Sequence, residues 1–125
     1  MIQGLKIGES VSKLACSSFH TLLLTSYGSV FACGENNDGQ LGLGDFLSRS
    51  SFHRIGSQDD NMTTLSLRFS CVSAGGATIG CHSAAITHDG MLYVWGKAEL
   101  CGNPGIVHAV VRPERLSDLA VSCCL

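Results

Sequence analysis

His20-Thr-Leu-Leu-Leu-Thr-Ser-Tyr-Gly-Ser-Val-Phe-Ala-Cys-Gly34 lines up without a gap on His82-Ser-Ala-Ala-Ile-Thr-His-Asp-Gly-Met-Leu-Tyr-Val-Trp-Gly96, 62 residues further along the chain. Four positions are identical in the two copies: His20/His82, Thr25/Thr87, Gly28/Gly90 and Gly34/Gly96. The apolar positions between them match in kind. A period of this size marks a repeat architecture, in which each unit buries its apolar surface against a neighbour.

Each copy reads as a β-hairpin. Residues 20–25 and 30–33, and again 82–87 and 91–95, are rich in β-formers. Between them lie Tyr27-Gly28 and Asp89-Gly90, which predict tight two-residue hairpin turns. The strands are apolar on both faces, as in Leu22-Leu23-Leu24 and Leu92-Tyr93-Val94-Trp95. Such a sheet must be covered on both sides. Radially stacked propeller blades supply that cover. Helical repeats are excluded by the glycines and turn dipeptides that interrupt every helical window.

The repeat extends outward from the hairpins. Leu14-Ala15-Cys16 corresponds to Val72-Ser73-Ala74, with extra residues before His82 in the second copy. Phe52-His-Arg-Ile55 is echoed by Pro113-Glu-Arg-Leu116, 61 residues later. The expected organisation is a first repeat with its connecting loop over 9–68 and a second repeat over 69–112. Residues 113–125 then read as the start of a third unit, or as an altered tail. The fold expected is all-β, a partial β-propeller of about two blades that does not close a ring. Its end faces would expose strand edges and apolar surface, so the chain reads as a fragment of a longer propeller.

The run from Ala15-Cys16 through His20, Gly28 and Gly34-Glu-Asn-Asn-Asp-Gly-Gln-Leu-Gly-Leu-Gly-Asp45 resembles the regulator of chromosome condensation repeat. In the second copy Lys97-Ala-Glu-Leu-Cys-Gly102 replaces the Gly-Gln-Leu-Gly signature. WD-type and kelch-type repeats fit less well, because their periods of about 45 and 50 residues fall short of the observed spacing. The resemblance implies a propeller that presents loops to protein partners. It also implies a possible partner among small GTPases, since the family includes nucleotide exchange factors for Ran-type GTPases, or else among other domains of a larger parent protein. Similar repeats occur in HECT-type ubiquitin ligases, in certain protein kinases and in BTB-domain proteins.

Composition bounds the class of protein. Of 125 residues 45% are hydrophobic and 14% charged, which argues against disorder. Eight Lys plus Arg against ten Asp plus Glu leave a net charge of −2, too balanced for an electrostatic grip on nucleic acid or an anionic membrane. Short apolar runs and the N-terminus Met1-Ile-Gln-Gly-Leu5 predict neither a membrane span nor a signal peptide, hence a cytoplasmic or nuclear protein. The seven cysteines contain no C-x-x-C pair, so reduced, buried thiols are expected rather than a zinc cage.

No group of residues here predicts catalysis, a metal or a cofactor. His20 and His82 recur at matching strand starts, which predicts a structural hydrogen bond within each blade. Cys81 and His82 are strand neighbours whose side chains diverge, a poor nucleophile–base pair. Gly39-Gln-Leu-Gly-Leu-Gly44 lacks the spacing of a phosphate-binding loop and predicts a tight interblade connection. Glu35 and Asp38, with Asn36 and Asn37, read as a solvated polar turn. Asn61-Met-Thr63 matches a glycosylation sequon with no secretory route beside it, and the C-terminal Ser122-Cys-Cys-Leu125 lacks the cysteine of a prenylation box. Trp95 reads as blade packing.

Overall fold

The computed structural model describes residues 2–56, 67–77, 80–97 and 110–115. They form two antiparallel four-stranded sheets. The first contains β1 (Val11–Cys16), β2 (His20–Thr25), β3 (Val30–Gly34) and β4 (Arg49–Arg54), in that order across the sheet. The second contains β5 (Phe69–Ala77), β6 (Gly80–Thr87), β7 (Leu92–Gly96) and β8 (Val110–Arg115), in the same order. This is the expected all-β pair of blades, each a four-stranded meander.

The two sheets repeat even their irregularities. A register shift between Val11 and Lys13 recurs between Phe69 and Cys71, and one between Ala32 and Gly34 recurs between Val94 and Gly96. The extra residues of the second copy lengthen the β5–β6 hairpin, which pairs out to Ala77↔Gly80. The echo of Phe52–Ile55 also has its structural meaning. Arg54 pairs with Phe31 and Arg115 with Tyr93, so β8 is the outer strand of the second blade as β4 is of the first. Pro113–Arg115 therefore belongs to the second sheet, and the boundary expected between residues 112 and 113 falls inside a strand. The Asn61 sequon, the C-terminal cysteines, and the segment from Ala98 to Gly102 lie outside the described residues.

One hydrophobic core sits between the sheets. The first blade contributes Leu22, Leu24, Val30 and Ala32, backed by Leu41, Leu43 and Ile55 from the following loops. The second contributes Phe69, Ala85 and Trp95, with Val72, Ala74 and Tyr93 at the margin. Because side chains alternate along a strand, Leu23 and Phe31 point to the opposite face of the first blade. They are nonetheless buried. The N-terminal segment lies over this face: an added Cβ on Gly4 would touch the Phe31 ring at 3.6 Å, and the Arg54 guanidinium sits 5.3 Å from the ring centroid. The open end face expected of the first blade is thus partly closed by the chain's own first residues.

The hairpin turns differ from the two-residue loops expected. Thr25 N–H donates to Ser29 O at 2.9 Å and Gly28 N–H to Thr25 O at 3.0 Å. The second hairpin repeats this with Thr87, Met91 and Gly90. Each is a three-residue loop closed by a left-handed glycine (φ 79° at Gly28, 86° at Gly90). The left-handed residue restores the twist that an unmodified type I turn would spoil. Nothing lies within 4 Å of a Cβ placed on Gly90, so substitution there tests backbone strain alone. Gly90→Ala is expected to cost about 1–2 kcal/mol, read as a lowered midpoint in urea with unchanged slope. A midpoint equal to that of the parent would contradict the turn geometry.

Candidate functional site

The four recurrent positions occupy the two ends of each hairpin. At the turn end, Thr25 Oγ1 accepts the Ser29 N–H at 3.2 Å and Thr87 Oγ1 accepts the Met91 N–H at 3.0 Å. The hydroxyl satisfies a backbone donor that a three-residue loop leaves free, which explains why Thr recurs. At the open end His20 pairs across the sheet with Gly34 and His82 with Gly96. A Cβ on either glycine would come 2.8 Å from the histidine Cα, so only glycine fits opposite the histidine.

His20 links the blades. Its Nε2 lies 2.8 Å from Ser83 Oγ, and Ser83 Oγ in turn donates to Gln40 O at 2.7 Å. Since the serine proton goes to Gln40, His20 Nε2 carries its own proton and donates it. Nδ1 is then the acceptor, at 2.6 Å from Ser17 Oγ. The hydrogen bond expected within each blade is therefore only half of the arrangement, because the other half crosses to the next blade. Burial, with the neighbouring His82 adding to it, pushes the His20 pKa down to about 4. His82 departs from the pattern. Gly75 stands opposite His82 where the first blade has Ser17 opposite His20, and His82 Nδ1 is buried without a partner among the described residues.

The glycine-rich segment joins the same network. Gln40 O accepts the Trp95 indole N–H at 2.8 Å as well as the Ser83 hydroxyl. Gly42 lies flat on the indole, where a Cβ would fall 2.8 Å from Nε1. Asp38 Oδ2 accepts the Cys81 N–H at 3.0 Å. The segment is the β3–β4 loop of the first blade rather than the connection between blades expected from the sequence, and it reaches the second blade only through these contacts. The solvated polar turn is not what forms around it. Asn36 is fully buried, its amide donating to Asp45 Oδ1 and to the Asp45 and Leu47 carbonyls while its oxygen accepts the Leu41 N–H. A buried amide must pair on both sides, and the surrounding loop folds around Asn36 to do so. Sequence reading missed Asn36, Gln40, Ser17 and Ser83. An Asn and a Gln placed among glycines were the available signal.

Cys81 and His82 do not form a reactive pair. The Cys81 thiol is pushed above its ordinary pKa, first by burial and then by the Asp38 charge. Its neighbour His82 lies on the other face of the strand. Among the described residues no three His, Cys, Asp or Glu side chains gather into a metal cage. One exposed feature is held firmly. Phe46 and Leu47 are 51% and 67% exposed at the tip of the loop after β3. The backbone beneath them is fixed by Asn36 and by the Asp45–Arg49 ion pair at 2.9 Å. That ion pair holds the Asp45 carboxyl below the usual carboxylate range.

Two packed four-stranded blades, stapled by a buried histidine and a glycine-rich loop, define a propeller-repeat protein. The regulator of chromosome condensation (RCC1) repeat matches residues 11–40 and again 27–77. The chain belongs to that family. It is 46% identical over 88 residues to the X-linked retinitis pigmentosa GTPase regulator of Canis lupus familiaris, across 70% of this chain and 8% of that protein. It is 34% identical over 89 residues to the Homo sapiens RCC1-like G exchanging factor-like protein, across 71% of this chain and 17% of that protein. The solved structure of human WBSCR16 superposes with a TM-score of 0.69 at 28% identity, across 85% of this chain and 25% of that one. The chain spans less than a fifth of the length of these two relatives.

Proposed function

We propose that this chain is a protein-interaction module without catalytic chemistry of its own, and that its partner is a small GTPase. The observation that carries the reading is the Phe46-Leu47 tip. Two adjacent apolar side chains exposed on a preorganised backbone are the kind of anchor that dominates a protein interface. His20, Ser83, Gln40 and the Trp95 indole N–H are engaged with one another at the blade junction, which leaves the loops to meet partners. The four described cysteines are unpaired, which supports a reducing cytoplasmic or nuclear setting. The names of two relatives, a GTPase regulator and a G exchanging factor-like protein, favour a second reading in which the partner's nucleotide exchange is accelerated.

One experiment separates the two. The 125-residue chain is immobilised, and a Ran-type GTPase is titrated in its GDP-bound and nucleotide-free forms. Release of a fluorescent GDP analogue is followed in parallel. The interaction module predicts binding with no acceleration of release, weakened about tenfold or more by Phe46→Ser with Leu47→Ser at unchanged melting temperature. Acceleration of release would establish the exchange reading instead. Absence of binding, or binding indifferent to the double substitution, overturns the role assigned to the tip.

A further inference from the structure

In the first blade three side chains come together. Thr25 Oγ1 donates to Glu9 Oε2 at 2.5 Å, and Arg54 Nη2 lies 3.2 and 3.3 Å from the two carboxylate oxygens. The Glu9 side chain is buried, and these donors, with the Lys6 N–H at 2.8 Å, outweigh the cost of burying it and hold its carboxyl below the usual range.

The second blade repeats the donors. Thr87 stands where Thr25 does, each closing its turn in the same way. Arg115 stands where Arg54 does, opposite Tyr93 as Arg54 is opposite Phe31. The acceptor is not repeated. Ser26 N–H donates to Ser10 O at 2.7 Å and His88 N–H to Arg68 O at 3.0 Å, so Arg68 is the counterpart of Ser10. Leu67 is then the counterpart of Glu9, and it carries no oxygen. Where the first blade has its ion pair, the second has a groove of about 610 Å³ lined by Leu67, Arg68, Thr87, His88, Asp89 and Arg115, among others. Thr87 is 5% exposed, and its hydroxyl accepts from Met91 while donating to no described group. Arg115 is exposed and has no ion pair among the described residues, with Asp89 or any other carboxylate.

We propose that this groove binds a carboxylate, the Glu or Asp side chain of an acidic segment of a partner protein, in the place that Glu9 fills in the first blade. Thr87 donates one hydrogen bond and Arg115 supplies the charged fork, with Arg68 and His88 at the rim to attract an acidic strand. A carboxylate fits better than a phosphate. The donor pair is the one that already holds a carboxylate in this fold, and Asp89 at the rim repels a second negative charge. The site is separate from the Phe46-Leu47 tip, so it stands or falls independently of GTPase binding.

The test titrates the 15N-labelled 125-residue chain at low salt with an acetylated, amidated Gly-Glu-Gly-Glu-Gly peptide. Parallel arms use the Gln analogue and inorganic phosphate. Saturable shifts of the amides from Thr87 to Met91 are expected with the Glu peptide and not with the Gln peptide. Arg115→Met should weaken binding roughly fivefold or more, with Arg115→Lys retaining part of it. Leu67→Glu should fill the groove from within, abolishing peptide binding and raising the melting temperature. Arg115 is exposed, so its variants keep the test valid even where Leu67→Glu folds poorly. Equal response to the Gln peptide, indifference to Arg115→Met, or tighter binding of phosphate at the same amides would each overturn the assignment.

Discussion

Trp95→Ala is expected to destabilise the chain by about 3–5 kcal/mol, the range for deleting a fully buried large aromatic. Trp95 has no exposed surface and lies at the centre of the interblade core. Its loss should act chiefly through the cavity. The carbonyl it binds, Gln40 O, keeps a second donor in the Ser83 hydroxyl, so truncation leaves no orphaned acceptor. The cavity cannot relax easily, because Gly42 already lies against the indole and both sheets are pinned by their ladders. Small domains are stable by only about 5–15 kcal/mol, so the variant should be largely unfolded at temperatures where the parent is folded. Trp95→Phe, which keeps most of the volume, should cost less than half as much. The check is chemical denaturation followed by far-ultraviolet circular dichroism. A loss under 1 kcal/mol for Trp95→Ala would mean that the two sheets do not depend on their shared core.

The second large effect is a dependence of stability on pH set by His20. In the unfolded chain the imidazole titrates near 6.5, and in the fold it is held neutral down to about 4. Protonation would place a proton on Nδ1, facing Ser17 Oγ. That oxygen already accepts the N–H groups of Phe19 and His20 at 3.2 and 3.1 Å. A depressed histidine pKa means that the unfolded state binds the proton first. The stabilisation is whole above pH 6.5 and is lost as pH falls from 6.5 towards 4, by an amount of order 3 kcal/mol. His82, also lowered by burial, adds in the same direction. The depressed carboxyls of Glu9 and Asp45 also lose their contribution as pH falls, but mainly below about 4.5. Unfolding free energies between pH 7.5 and 4.5 should therefore fall for the parent and flatten in His20→Gln. Equal slopes in the two proteins would show that His20 is not held neutral by the fold.

Much of the architecture is legible in the chain. The aligned hairpins marked the strands β2, β3, β6 and β7, because β-formers with a turn glycine between them have few other low-energy arrangements. Strands apolar on both faces required stacked sheets. Val110–Arg115 is harder to place: its match to β4 can be read, yet Pro113 onward reads equally as the start of a new unit. Only pairing with β7 shows which sheet it joins. The positions of the hairpin loops are legible in the sequence, but their length is not. Tyr27-Gly28 and Asp89-Gly90 suit a two-residue turn as well as the last two positions of a three-residue one, and the choice depends on where the ladder ends.

What the sequence determined by itself was the repeat: its period, its β character and its need for a neighbouring blade, all of which follow from local spacing and from surface that must leave water. Tertiary structure decided the partners of the polar groups. His20 and Ser83 are far apart in the chain and meet only because one blade packs on the next. Asn36 and Gln40 look like loop residues until the segment folds over Trp95 and buries them. The absent carboxylate at Leu67 becomes visible only when backbone hydrogen bonds align it with Glu9. Apolar patterning is written along the strand because burial acts on each side chain separately. A buried polar atom needs one partner at one distance, and that distance exists only once the sheets have come together.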